Sequence, residues 1–412
     1  MTWKVQLVLW VALLPAISTL EDDTKLNCQG SFTPKTFAGK RIQCNDNVNG
    51  HNSQQNITGT SSRHGFNTSS QPSTFKRLAV EVSESVKYYL MNFWTTLVIP
   101  FVYTFVLITS LPLNLLAILI FLFKMQLTKP AVIYMMNLAA ADLLFVLMLP
   151  LKIAYHFSGN NWGFGSFLCR LVTGGFYAYM YCSVLLMMCI SIDRFLAVVY
   201  PIRSASWRTR GRAIVLCLVV WLAAIGGAAP LLLTEQTVYV TELNVTTCHD
   251  VLPLSTLQNY SSYYFPTLCF LLFVIPLLVT SVCYICIIST LCSANETKQC
   301  GKRRASFLVI IVFSVFIICF APTNIILLIH YLHFYYAASD SLYFAYMLCV
   351  CIGSLSCCLD PLFYYYVSSV FKSKLQNLLY PREVAGRQIK EVNKKLETLT
   401  PIHYIYRKLL IT

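Results

Sequence analysis

A chain of 412 residues is long enough for roughly two to four soluble domains, but 57% of its residues are hydrophobic and only 12% charged, against about 45–50% and 25% in globular proteins. So few charges cannot cover a water-facing surface. The net charge of +14 is scattered between long apolar runs rather than gathered in one basic domain, so nucleic acid is excluded as a partner and a polytopic membrane protein is implied.

The chain opens Met1-Thr2-Trp3-Lys4 and then runs apolar from Val5 to Ile17, too short to span a bilayer. Ala16 and Ser18 fit a signal peptidase site, so residues 1–18 read as a cleaved signal peptide. Residues 19–94 then form an extracellular tail. From Leu20 to Leu90 it is rich in Asn, Ser, Thr, Gln and Lys with few large apolar residues, which predicts a mostly disordered segment. Asn56-Ile57-Thr58 and Asn67-Thr68-Ser69 are glycosylation sequons.

Seven apolar runs follow, at Thr95–Phe123, Ala131–Phe157, Phe167–Val199, Arg212–Leu233, Ser261–Cys292, Ser306–Leu332 and Leu342–Val370. Each is near or above the ~20 residues that a helix needs to cross the hydrocarbon. Backbone polar groups in lipid need internal partners, so these are helices. The predicted fold is an all-α, seven-transmembrane helix bundle over residues 95–370, with a disordered outer tail and a cytoplasmic tail at 371–412 that begins with an amphipathic helix, Phe371–Tyr380. Lys124, Lys129, Arg203, Arg208, Arg210, Arg212, Lys298, Lys302, Arg303 and Arg304 fall on one side of the spans, and only Lys152 is assigned to the other. That asymmetry predicts a plasma membrane protein with its N-terminus outside and its C-terminus in the cytoplasm. Asn244-Val245-Thr246 and Asn259-Tyr260-Ser261 are then outer sequons.

Polar residues inside spans are costly and are functional candidates by default. They are Asn114 in the first span, Asp142 in the second, Ser183 in the third and the run Asp360-Pro361-Leu362-Phe363-Tyr364 closing the seventh. The third span ends in Asp193-Arg194-Phe195, the fourth carries Trp221 and Pro230, and the sixth reads Phe320-Ala321-Pro322. Singly, each has a plain packing or snorkelling explanation. Together and in this order they resemble the rhodopsin-like G protein-coupled receptors over residues 95–380. The stretches Ile153–Trp162, Thr246–Leu252, Ala321–Asn324 and Ser356–Pro361 narrow the resemblance to the protease-activated receptors, and Ile192–Pro201 with Ser206–Thr209 to the thrombin-type receptors within that family. Asp360 stands where the wider family commonly has Asn, and Phe320 where it has Trp. Both departures occur in the protease-activated subfamily.

The resemblance implies a receptor and not an enzyme. A thrombin- or trypsin-like serine protease would cut the outer tail, and the new N-terminus would act as a tethered agonist, at an effective concentration in the millimolar range. In Ser31–Arg41 the basic residues are Lys35, Lys40 and Arg41. A cut after Lys35 frees Thr36-Phe37-Ala38-Gly39-Lys40-Arg41, a small hydroxyl residue followed by an aromatic. A cut after Arg41 frees Ile42, without the aromatic, so Lys35 is preferred. Thrombin's basic exosite usually meets an acidic segment after the cut, yet Asp46 is the only acid between Thr36 and Val80, which weighs against fast thrombin docking. The matching agonist-pocket residues are His249, Asp250, Tyr331, Tyr343 and Tyr346. Asp250 is a candidate partner for Lys40 or Arg41, and the tyrosines for Phe37. Cys169 and Cys248 are implied to form a disulfide in an oxidising compartment, with Cys28 and Cys44 a second candidate pair around the cut. Asn114, Asp142, Ser183 and Asp360, with Tyr364 beside them, match a sodium and switch site; no other metal and no cofactor is expected.

Asp193, Arg194 and Phe195 match the position that couples to heterotrimeric G proteins, of the Gq and Gi classes. The basic tail also suits anionic membrane lipids. Ser373, Thr398, Thr400 and Thr412 are few phosphorylation candidates for arrestin recruitment. A receptor for a free peptide, lipid or nucleotide shares this fold and is the alternative reading. A transporter would show repeat symmetry between two halves, which is missing from the seven runs.

Overall fold

A computed structural model describes residues 37–41, 79–125, 129–253, 262–293, 313–314, 316–329 and 340–379. Chain order begins with β1 (Phe37–Arg41) and β2 (Ala79–Glu81), then α1 (Glu84–Met91) and, after a π turn at Trp94–Val98, α2 (Ile99–Phe123). These two helices make one 40-residue apolar element, Glu84–Phe123, longer at its outer end than the Thr95 start read from hydropathy. The bundle continues with α3 (Pro130–Phe157), α4 (Gly165–Val199), the single turn α5 (Pro201–Ser204) and α6 (Arg210–Leu233). The second outer loop supplies β3 (Thr237–Val240), β4 (Val245–Cys248) and β5 (Val251–Pro253). Then come α7 (Ser262–Cys269), a π turn at Phe270–Val274 and α8 (Ile275–Ser293), followed by α9 (Phe316–Ile329), α10 (Asp340–Gly353), α11 (Ser356–Val367) and α12 (Ser369–Leu379). Six helical segments among the described residues are long and apolar enough to cross a membrane, and α9 is a shorter seventh.

α3 and α4 sit at the centre, with α2, α6 and α11 against α3 and with α6 and α8 against α4. More than half of the most apolar window is buried in α3 and α4 (61% and 56%), against 28% in α6. Leu216, Leu218, Val219 and Leu222 of α6 point outward, where lipid rather than water is their solvent. Small residues permit the tightest helix contacts. A Cβ on Gly353 would stand 2.9 Å from the Cys319 carbonyl oxygen, so α10 and α9 touch there only because position 353 has none.

The seventh predicted span is not one helix. It breaks at Ser354-Leu355 and again at Ser368, so the amphipathic helix starts at Ser369, ahead of the Phe371 boundary read from sequence. Pro361 has no N–H to donate to Cys357 four residues earlier. That freed carbonyl instead accepts from Asn114 Nδ2 at 2.9 Å and Ser110 Oγ at 3.1 Å, which ties α11 to α2. Phe371 anchors α12 by packing on Phe121 and Tyr364.

The outer tail departs from its expected disorder over 79–91. Val80, Val82, Val86 and Leu90 are buried, first at strand spacing and then at helical spacing. Ser83 caps α1 by accepting from the Val86 N–H. Ordering follows because partners exist that composition does not show. The five strands form one sheet in the order β4-β3-β2-β1-β5, with β3 and β4 an antiparallel hairpin and β2 parallel to β3. The far edge of β4 is covered by the first outer loop: the Trp162 N–H donates to the Thr246 carbonyl at 2.7 Å, and the Thr246 N–H to Asn161 Oδ1 at 3.0 Å.

Candidate functional site

Three clusters of polar residues lie along the bundle axis. The outermost is built where β4 turns into β5. Cys248 is bonded to Cys169 of α4, with Cα atoms 5.7 Å apart. The bond lies in a buried group with Tyr155, Trp162 and Val172. His249 takes φ of 72° in the turn that follows, uncommon for a side-chain-bearing residue. It is held there by Gln236, whose carbonyl accepts the His249 N–H and whose Oε1 meets His249 Nδ1, both at 2.8 Å. The turn aims Asp250 down into a cavity lined by Tyr103, Lys152, His156, Tyr177, Asp250 and Tyr343, among others.

Asp250 is buried, and its carboxylate accepts from the Tyr155 hydroxyl at 2.5 Å and the Tyr343 hydroxyl at 3.0 Å. Among the described residues it has no ion-pair partner. Lys152 lines the same cavity from within α3, not from a loop as read from sequence, with its ammonium over the Tyr155 ring at 5.3 Å. Tyr346 shares a 2.8 Å hydroxyl contact with Tyr177, which also reaches His249 Nε2 at 3.4 Å. The sequence reading named His249, Asp250, Tyr343 and Tyr346, and these come together. It missed Tyr155, Lys152 and Tyr177 as pocket residues, although Tyr155 lies within the Ile153–Trp162 stretch. Glu235 in the adjoining loop is pushed upward by partial burial, but hydrogen bonds from Ser166 and Thr237 outweigh this and hold its carboxyl below the usual 4.5.

β1 lies beside this cluster. It runs parallel to β5, with Phe37 opposite Val251, Ala38 opposite Leu252 and Gly39 opposite Pro253, and antiparallel to β2, with Lys40 opposite Glu81 and Arg41 opposite Val80. Lys40 and Arg41 thus lie three and four residues along the strand from the end nearest Asp250, about 10 Å or more, and in register with β2 instead. Lys35, Thr36, Ile42, Cys28, Cys44, Asn56, Asn67, Asn259 and Tyr331 lie outside the described residues. Asn244, of the remaining outer sequon, closes the β3–β4 turn and accepts from the Tyr239 hydroxyl at 2.5 Å.

The middle cluster is buried between α2, α3, α4 and α11. Asp142, Asp360, Ser183 and Asn114 are wholly or almost wholly buried, and the two carboxyls are neighbours. Among the described residues, both oxygens of each carboxylate, Ser183 Oγ, Asn114 Oδ1 and the Tyr364 hydroxyl have no hydrogen-bond partner of normal geometry. Such orphaned oxygens call for an explanation. The donors here are two carboxylates with neutral oxygens, an all-oxygen set that suits a hard cation.

At the inner end, Arg194 and Asp193 contact at 3.3 Å. Sequence adjacency suggested that pair; it gave no hint of Arg208. That residue reaches back from the second inner loop to grip both Asp193 oxygens, at 2.8 and 3.0 Å, the bidentate geometry that arginine favours. Phe195 packs on the Tyr200 ring.

Comparison with known proteins places the chain in a family. Residues 113–364 match the family described as 7 transmembrane receptor (rhodopsin family). The chain is 53% identical over 310 residues to proteinase-activated receptor 1 of Xenopus laevis and 52% over 309 residues to that of Homo sapiens, in each case 75% of this chain and 73% of the relative. It is 40% identical over 292 residues to proteinase-activated receptor 2 of Rattus norvegicus, 70% of this chain and 73% of the relative.

Proposed function

The chain belongs to the rhodopsin family of seven-transmembrane receptors and within it to the proteinase-activated receptors, and we propose that a cut after Lys35 turns it on by creating a new ammonium group at Thr36. It is a multi-pass plasma membrane receptor, not an enzyme; the chemistry of the cut is the protease's. The observation that carries the reading is the register of β1. Phe37, the residue after the proposed new terminus at position 36, lies opposite Val251, the sequence neighbour of Asp250. In the uncut chain that position offers a neutral amide. After cleavage it would offer a cation to a buried carboxylate whose hydrogen-bond partners among the described residues are two tyrosine hydroxyls. A buried charge gains far more from an ion partner than an exposed one does, so the pocket responds to the cut rather than to the sequence alone.

Asp193 and Arg194 are the coupling pair: Arg208 holds Asp193 on the inner side, and releasing Arg194 exposes a cation to a heterotrimeric G protein. Gq and Gi are the proposed classes, with arrestin a further partner through the tail. The N-terminus is outside and the C-terminus in the cytoplasm. Asn114, Asp142, Ser183 and Asp360 would hold a sodium ion, which supplies a positive charge between two carboxylates. Cys169 and Cys248 keep the β4–β5 turn on α4.

The test is Lys35→Gln in cells, read by calcium release after thrombin or trypsin. Response is expected to fall to background, while the free peptide Thr-Phe-Ala-Gly-Lys-Arg still activates and its amine-acetylated form does not. Full response of Lys35→Gln alongside loss in Arg41→Gln assigns the agonist terminus to Ile42 and overturns the reading.

A further inference from the structure

The inner end of α4 places one carboxylate between two arginines. Tyr200 ends that helix, and the single turn α5 reverses the chain: the Ser204 N–H donates to the Tyr200 carbonyl and the Arg208 N–H to the Ser204 carbonyl, both at 2.9 Å. Thr209 then caps α6 by accepting from the Arg212 N–H. Backbone bonds on both sides therefore fix Arg208, and its side chain reaches back to Asp193 without any reordering of the loop. Arg212 is occupied elsewhere, lying over the Trp207 ring at 5.5 Å and donating to the Trp207 carbonyl at 3.2 Å.

The two arginines do not hold Asp193 equally. Arg208 Nε donates to Oδ1 at 2.8 Å and Arg208 Nη2 to Oδ2 at 3.0 Å. Arg194 makes one contact, from Nη2 to Oδ2 at 3.3 Å, on an oxygen that Arg208 already uses. Arg194 Nε is buried and has no hydrogen-bond partner of normal geometry among the described residues. A two-point fork is stronger and more directional than a single long contact, and a buried donor left unused is costly to keep. Two guanidiniums that share one oxygen also repel each other. Each of these facts has the same sign: Arg208 takes up the charge of Asp193 and leaves Arg194 loosely held.

We propose that Arg208 is a positioning residue for G protein coupling, which primes Arg194 for release by competing with it for Asp193. This rests on the reading that Arg194 is the coupling cation, and deepens it. Asp193 and Arg194 ride together on α4, whereas Arg208 stands on the second inner loop. Motion between helix and loop sets a two-point grip against a single 3.3 Å contact, and the single contact yields first. Arg208 also keeps Asp193 paired once Arg194 has left, so release strands no buried carboxylate, a cost that would otherwise oppose it. The sign of a mutation follows. Removing a residue that latched the resting state would raise basal signalling. Removing a competitor instead hands Asp193 wholly to Arg194 and lowers coupling.

The test uses full-length receptor in membranes, with nucleotide exchange on added heterotrimeric G protein read per receptor, before and after thrombin or trypsin at matched extent of cleavage. Arg208→Gln should leave basal exchange low and cut the cleavage-driven rate about tenfold, the weight of one charged hydrogen bond. Arg208→Lys, which keeps the charge but not the fork, should cut it about threefold. Asp193→Asn should raise basal exchange, and adding Arg208→Gln to it should change nothing further, because no carboxylate is left to contest. A raised basal rate in Arg208→Gln overturns the proposal and makes Arg208 a latch. A double mutant as impaired as Arg208→Gln alone also overturns it, and makes Arg208 a mere support of the loop. Arg194→Gln separates the proposal from the reading beneath it. If that variant is silent while Arg208→Gln is normal, the contest fails and the coupling role stands. If Arg194→Gln exchanges nucleotide normally, the coupling role itself falls, and the proposal with it.

Discussion

The outer pocket and the mid-membrane cluster are both buried and polar, and they are built in opposite ways. In the outer pocket each of Tyr155, His156, Asn160, Tyr177, His249, Asp250, Tyr343 and Tyr346 has a hydrogen-bond partner. In the middle cluster the side-chain oxygens of Asp142, Asp360, Ser183 and Tyr364 have none of normal geometry among the described residues. A satisfied network specifies one geometry, whereas orphaned groups keep a region ready to rearrange or to take up an ion. On the proposed reading, ligand recognition and switching occupy separate layers of one bundle. The difference also predicts that mutations in the two layers act with different signs.

The largest effect is expected where the outer layer is held to the bundle. Cys169→Ser or Cys248→Ser frees the β4–β5 turn, and losing a native disulfide typically costs about 2–5 kcal/mol. Surface staining and cleavage-driven calcium release should both collapse; normal signalling from either mutant would break the comparison at its root. Next is Asp250→Asn, which keeps shape but removes the charge that answers the new ammonium. Agonist potency should fall about 100-fold, in line with the 2–5 kcal/mol seen when one partner of a buried charge pair is lost. Unchanged potency would mean that Asp250 is only a hydrogen-bond acceptor. Tyr177→Phe removes one hydroxyl shared with Tyr346, worth about 1 kcal/mol, and a shift near fivefold is expected in peptide dose–response curves.

The smallest effect belongs to the middle layer. Asp360→Asn removes one of two adjacent buried carboxyls, so the thermal midpoint of purified receptor should hold or rise slightly. Agonist binding in that mutant should also lose its difference between sodium and choline buffers. A marked fall in the midpoint would show that Asp360 is paired after all, and the two layers would be alike.

The helical bundle was legible because lipid leaves the backbone no alternative: long apolar runs there must be helices. Boundaries were less so. The break at Ser354-Leu355 is made by tighter bonds, Leu355 N–H to the Ile352 carbonyl and Cys358 N–H to the Leu355 carbonyl, with Ser354 Oγ on the Cys351 carbonyl, none of which hydropathy registers. In the site, adjacency gave Asp193 with Arg194, whereas Arg208 is fifteen residues further on and is brought back by the α5 turn. The sheet was hidden for a different reason. Strands of three to five residues are too short for a periodic signal, although Val80 and Val82 alternate and Ser83 precedes a helix in a capping pattern. Composition counted the polar residues of the tail but could not see the partners waiting in the second outer loop.

The disulfide joins the turn that carries Asp250 to the outer end of α4, and Asp193-Arg194 lies near that helix's other end. α4 has 35 residues, about 52 Å of continuous helix at 1.5 Å per residue. Such a rod works as a lever: one degree of tilt imposed at the cystine displaces the far end by about 1 Å, comparable with the play in an ion pair. The geometry asks for no relay of side chains between the two ends. A tilt of α4 carries Asp193 and Arg194 together, so the contact it strains is the one to Arg208, which stands off that helix.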